Sequence, residues 1–98
     1  METTTLLTRF SLGQILVTPQ AVERLESSEV RAALRRHARG DWGEATPQQV
    51  TENERCLREG GSVVSVYRDG GQRRFCVLTN GHRSATLVVQ WADEQPVP

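Results

Sequence analysis

The stretch SVVSVYRDGGQRRFCVLTNGHRSATLVVQW, residues 62 to 91, decides the fold. Within it Ser62 to Tyr67, Arg73 to Thr79 and Arg83 to Trp91 are rich in the β-branched and aromatic residues that suit a pleated, half-buried surface. Between them stand Asp69-Gly70-Gly71 and Asn80-Gly81, residue types that accept the left-handed backbone of tight hairpin turns. Three strands in an antiparallel meander are expected. In the last of them Ala85, Leu87, Val89 and Trp91 share one face and Ser84, Thr86, Val88 and Gln90 the other, as in a sheet covered by helices on one side only.

Upstream of this stretch the apolar period lengthens from two to that of a helix. Thr46-Pro47-Gln48-Gln49 places a capping hydroxyl, a proline that loses no hydrogen bond at the first helical position, and a Gln at capping-box spacing. A helix is predicted from Pro47 to about Glu59, stopped by Gly60-Gly61, with a thin apolar stripe of Val50, Asn53 or Glu54, and Leu57. Before it, Val30, Ala33, Leu34, His37 and Ala38 recur at helical spacing, so Val30 to Arg39 is read as a helix with Ser27 and Ser28 available as caps and Gly40 as its end. Thr18-Pro19 starts a short helix to about Leu25 in the same way, and Phe10 to Thr18 alternates as a strand that joins the sheet. The order β, α, α, α, β, β, β gives an α+β fold: a three- to four-stranded antiparallel sheet with two to three helices on one face.

At 98 residues the chain fits one domain, expected over residues 10 to 91, with a disordered N-terminal arm over 1 to 9 and a flexible acidic, Pro-rich tail over 92 to 98. No apolar run approaches the roughly 20 residues of a membrane helix, and the first residues lack a basic cluster followed by an apolar stretch. A cytoplasmic protein with no membrane partner is the expectation. Cys56 and Cys76 read as two reduced, partly buried thiols rather than a disulfide. All twelve basic residues are arginine, which a GC-rich genome explains as readily as a need for guanidinium groups. Net charge is zero, yet residues 9 to 39 and 62 to 90 each carry +3 while residues 40 to 61 carry −3. Such segments either neutralise one another within the fold or present a basic face to an anionic partner.

Three constellations are candidates for function. The first comprises His37, His82, Cys56 and Cys76, residues of metal-binding type that lack the short spacings of structural zinc sites; His37, on the apolar side of its helix, reads as a core histidine bonded to backbone. No metal and no cofactor are expected. The second is His82 and Arg83 after the Asn80-Gly81 turn: a histidine can move protons and an arginine can hold a scissile phosphate, as in an RNase, although both also read as ordinary turn and strand residues.

The third is the helix and link Arg36-His37-Ala38-Arg39-Gly40-Asp41-Trp42-Gly43-Glu44. Arg31, Arg35 and Arg39 line one side of the helix with Arg36 beside them, and Trp42 follows at the end of that stripe. Trp42 either plugs the core or, with Arg31, Arg35, Arg36, Arg39 and Asp41, forms a docking surface, since Trp and Arg dominate interface hot spots. A protein partner is expected there first, a nucleic-acid backbone second, and a second copy of the chain is a further candidate.

Two resemblances bear on these residues. Leu12-Gly13-Gln14-Ile15, Thr18-Pro19, the RHxxGDWG block with Glu44, Asn53-Glu54, Leu57, Gly60, Ser65, Tyr67 and Arg83-Ser84-Ala85-Thr86 resemble a family of short proteins encoded largely on plasmids and other mobile elements of proteobacteria, sometimes labelled plasmid-related protein. The match runs from about residue 10 to 90 and departs after Leu87, where Trp91 and a Pro-rich tail stand in place of an acidic, tyrosine-ended one. That resemblance implies mobile-element cargo and assigns no reaction or cofactor. More distantly, Val63 to Arg68, Val77-Leu78 and Gly81-His82-Arg83 are similar to the closing strands of RelE/ParE-type toxins, which implies a ribosome-dependent RNase using His82 and Arg83; the helix from Pro47 departs from that layout. The leading expectation is a small non-enzymatic interaction protein of a mobile element or phage that binds and modulates a host or defence protein, an anti-defence role. The nuclease and an arginine-mediated nucleic-acid binder are its alternatives.

Overall fold

In the computed structural model, which describes residues 8 to 90, the chain runs β1 (Gln14–Val17), α1 (Pro19–Arg24), α2 (Ser27–Ala38), α3 (Pro47–Glu59), β2 (Val63–Arg68), β3 (Arg74–Thr79) and β4 (Ala85–Gln90). This is the expected α+β order. The sheet order is β1-β4-β3-β2: β2, β3 and β4 form the antiparallel meander, and β1 lies parallel to β4. The expectation of an antiparallel sheet is therefore corrected to a mixed one. A parallel pair needs a long crossover, and the three helices between β1 and β2 supply it.

Local chemistry sets the element ends. The Thr18 hydroxyl accepts from the Ala21 N–H at 3.3 Å and the Thr46 hydroxyl from the Gln49 N–H at 3.1 Å, each with proline just inside its helix. The Gln49 side chain does not complete a capping box; it donates to Asn53 Oδ1 at 2.9 Å. Helix α2 begins earlier than its apolar period indicates, because the Glu29 carboxylate accepts the Glu26 N–H at 3.0 Å and Glu26, not Ser27 or Ser28, is the N-cap. Strand β1 is shorter than predicted because Gly13 adopts a left-handed φ of 65°, where a side chain would collide with the Ser84 backbone. Arg9, assigned to the arm from sequence, belongs to the fold: its N–H donates to the Ala38 carbonyl at 2.7 Å. Trp91 and the tail from Ala92 to Pro98 lie outside the described residues.

The helices cover one face of the sheet, α1 over β4, α2 near β3 and α3 over β2. Two apolar clusters fill the space beneath them. One joins Ala21, Leu25 and Ala33 to Tyr67, Phe75, Val77 and Val88; the other joins Trp42 and Cys56 to Val63, with Phe10, Ala45, Val50 and Leu57 around them. On β4 the buried face is that of Thr86 and Val88, while Leu87 and Val89 stay half-buried on the open side. Register places Leu16, Leu87, Leu78 and Val64 in one row across all four strands of that open face.

Candidate functional site

The link after α2 folds onto the outer edge of β2. Arg36, in the last turn of α2, reaches Asp41 with Nε to Oδ2 at 2.8 Å and Nη2 to Oδ1 at 3.2 Å, and its guanidinium stacks 4.6 Å from the centre of the Tyr67 ring. The Tyr67 hydroxyl donates to the Asp41 carbonyl at 2.6 Å, and the Gly43 N–H donates to Asp41 Oδ1 at 3.2 Å. Arg36 holds the Asp41 carboxyl below its ordinary range, and burial pushes the Tyr67 hydroxyl up to about 12. So fixed, residues 42 to 44 run beside β2: the Val66 N–H donates to the Trp42 carbonyl at 3.2 Å and the Glu44 N–H donates to the Val66 carbonyl at 2.7 Å. Gly43 sits between them at φ 66°, where any β-carbon would overlap the Val66 carbonyl oxygen.

Helix α3 closes the same edge one step further along. Asn53, fully buried, donates through Nδ2 to the Val64 carbonyl at 2.8 Å and accepts the Val64 N–H on Oδ1 at 3.0 Å, so one side chain replaces a strand partner. Next to it the Glu54 carboxylate takes both Arg9 nitrogens, at 2.9 and 2.8 Å, and the Trp42 indole N–H at 3.1 Å. Those donors lower the Glu54 pKa to about 2, Arg9 contributing most. The Trp42 ring, 5% exposed, stacks on Phe10 at 6.1 Å and meets the edge of His37 at 5.7 Å.

Beneath the link lies a buried hydroxyl relay. His37 Nδ1 is 2.6 Å from Ser65 Oγ, Nε2 is 2.9 Å from Thr79 Oγ1, the Thr79 and Thr86 hydroxyl oxygens are 2.7 Å apart, and Thr86 donates to the Leu12 carbonyl at 2.7 Å. A carbonyl only accepts, so Thr86 donates to Leu12, Thr79 to Thr86 and His37 through Nε2–H to Thr79; with the ring kept neutral by burial, Ser65 donates to His37 Nδ1. His37 is thus the neutral Nε2–H tautomer, and burial, aided by the nearby Arg83 charge, lowers its pKa to about 4. The backbone partner expected for His37 is replaced by these hydroxyls. Ser65 and His37 have the spacing of a nucleophile and its base, but His37, Ser65, Thr79 and Thr86 are all fully buried, so no substrate reaches them. Neither this relay nor the Asn53 clamp has a signal in the sequence beyond the polar residue types themselves.

The structure does not bring His82 and Arg83 together as a pair. His82 is exposed in the turn after β3, whereas Arg83, at φ 58°, turns inward and donates to the Gly61 and Asn80 carbonyls at 2.8 Å each and the Cys56 carbonyl at 3.1 Å. Its guanidinium lies 5.5 Å from the Phe10 ring centre and ties the end of α3 to the β3–β4 turn.

Of the six predicted docking residues, three turn inward or bond locally: Arg36 and Asp41 to each other, and Trp42 into the core. For Trp42 this is the core-plugging alternative and a correction to the docking one, while Arg36 and Asp41 stay solvent-accessible. Arg31, Arg35 and Arg39 remain exposed at one-turn intervals along α2, spanning about 12 Å, and form no ion pair with any described residue. Arg9, Arg55 and Arg68, by contrast, are each paired with a carboxylate.

Cys56 is buried and Cys76 half-buried, both free thiols, and burial pushes Cys76 up to about 11. Among the described residues no group of three or more His, Cys, Asp or Glu side chains is placed to hold a metal ion, and no helix is long and apolar enough to cross a membrane. A groove between the α1–α2 junction and the β2–β3 turn is lined by Glu23, Glu26, Glu29 and Asp69, but Glu29 and Asp69 already accept backbone N–H groups of Gly70, Gly71 and Arg73. Comparison of the chain with protein-family models, with curated proteins and with solved structures returns no match.

Proposed function

We propose that this chain is a small non-enzymatic interaction protein that docks through Arg31, Arg35 and Arg39 onto an acidic surface of a protein partner, a host or defence protein in the setting of a mobile element or phage. The observation that carries this reading is a contrast between two sets of polar groups. Every group suited to chemistry near the link is already bonded: His37 to hydroxyls, Arg83 to carbonyls, Glu54 to Arg9 and Trp42, Asp41 to Arg36. The guanidinium groups of Arg31, Arg35 and Arg39 form no ion pair or side-chain hydrogen bond with a described residue, and their five-donor forks suit carboxylates. A row of like charge raises the energy of the free molecule and lowers that of a complex with an acidic surface.

The test is recovery of a partner from host lysate by wild type and by the Arg31→Glu, Arg35→Glu, Arg39→Glu variant, which leaves the core untouched. A stoichiometric protein held by wild type, lost by the variant and released by raised salt supports the reading. Retention by the variant, or no partner for wild type, overturns it. A complex that nuclease digestion dissolves, with affinity falling steeply in salt, transfers the arginine row to nucleic-acid binding. RNA cleavage abolished by His82→Ala would instead establish the nuclease.

A further inference from the structure

We infer that β1 is a self-association edge, on which a second copy of the chain pairs its own β1 antiparallel to form a continuous eight-stranded sheet. This is independent of the arginine row and rests on three observations.

The first is an open ladder. β1 is the outermost strand, and its inward hydrogen bonds to β4 use the even residues, with the Gln14 N–H donating to Ser84 and the Thr18 N–H to Val88. Ile15 and Val17 therefore direct their N–H and C=O groups away from the sheet, and no described residue takes them. The second is apolar exposure. The large hydrophobic side chains exposed among the described residues are Ile15 (40%), Leu16 (44%) and Val22 (62%), all in β1 or the helix that follows it. The third is electrostatic. From Phe10 through Val22 the sequence has no charged residue, although 24% of the chain is charged. Natural edge strands are commonly guarded by charge, proline or bulges, and this one has none of them within Gln14–Val17. An uncharged edge meets its own copy without opposing like charges.

Geometry selects a second copy and the register. With Leu16 opposite Leu16 of the other copy, Ile15 of each chain faces Val17 of the other, and each such pair exchanges both of its backbone hydrogen bonds. The arrangement is twofold symmetric and satisfies all four outward groups of each strand. It also joins the open-face row Leu16, Leu87, Leu78 and Val64 to its symmetry mate.

The full-length chain is examined by sedimentation and light scattering over a concentration series, alongside Ile15→Pro. Proline at 15 deletes an N–H that bonds nothing within the monomer, so the fold, followed by circular dichroism, is retained. The expected result is a species of twice the 11.0 kDa chain mass for wild type, with association weakened about tenfold or more in the variant, since two hydrogen bonds are lost per dimer. The second variant is Leu16→Cys in a Cys76→Val background. Opposed residues of a non-hydrogen-bonded pair lie within disulfide reach, so oxidation yields a covalent dimer, whereas Gln14→Cys in the same background, facing Thr18 of the other copy, gives no covalent dimer. A wild-type chain that is monomeric throughout overturns the inference. So does a dimer that persists at full strength in Ile15→Pro, or that Leu16→Cys fails to trap, because association then uses another surface, such as the open sheet face.

Discussion

The two edges of the sheet are built on opposite plans. At β2, Val64 and Val66 are paired by an asparagine side chain from α3 and by the backbone of residues 42 to 44, so the edge is closed from within. At β1 no described residue takes the corresponding groups of Ile15 and Val17, beside exposed Ile15 and Leu16. The RHxxGDWG block, read from sequence as either a core plug or a docking surface, is the device that closes the first edge: Arg36 and Asp41 brace the link, Gly43 admits the Val66 carbonyl, and Trp42 and His37 anchor it to the core. Tryptophan and arginine, which dominate interfaces, here brace a link within the fold instead. Only the packing distinguishes the two uses.

Breaking the closed edge has the largest effect. Gly43→Ala forces a left-handed φ on a β-carbon that overlaps the Val66 carbonyl, and costs about 4 kcal/mol in strain and lost edge hydrogen bonds; urea unfolding measures it directly. Acid acts next, through the relay beneath that edge. His37 has a native pKa of about 4 against an ordinary 6.5, so between these values the unfolded chain binds more protons and stability falls as pH falls. The loss reaches about 3 kcal/mol by pH 4 and then levels off for this group. Unfolding free energies from pH 7 to 4 show that slope, and His37→Gln removes it. Asn53→Asp comes third: the acceptor for the Val64 N–H is kept, but a carboxylate replaces the donor to the Val64 carbonyl, at about 2 kcal/mol, read from the denaturation midpoint. Smallest is Leu16→Lys at the open edge, within about 0.5 kcal/mol for the isolated chain because the side chain is already exposed; thermal unfolding of dilute protein checks it.

Much of the architecture was legible in the sequence for local reasons. Thr18-Pro19 and Thr46-Pro47 act within one helical turn, and the Asn80-Gly81 and Asp69-Gly70-Gly71 turns act within one hairpin, so short-range chemistry located the elements. The parallel setting of β1 was not legible, because alternation shows that a strand has faces but not which neighbour it joins. Nor was the burial of Thr86, on the more polar side of β4, ahead of Leu87; that choice follows from a relay assembled from α2, β2, β3, β4 and Leu12. At the candidate site, the arginines at 31, 35 and 39 remain on the surface as helical periodicity required. Trp42 does not, and Arg36 and Asp41, although still solvent-accessible, are bound to each other and to Tyr67; the partners Tyr67 and Glu54 are distant in sequence.

Amide hydrogen exchange, resolved by residue on dilute, monomeric protein, tests the contrast between the edges most directly. Val64 and Val66 should exchange only with global unfolding, orders of magnitude more slowly than Ile15 and Val17, which should exchange nearly as fast as an unstructured peptide. Fast exchange at Val64 and Val66, or equal protection at all four amides, would contradict the assignment of the RHxxGDWG block and Asn53 as the closure of the β2 edge.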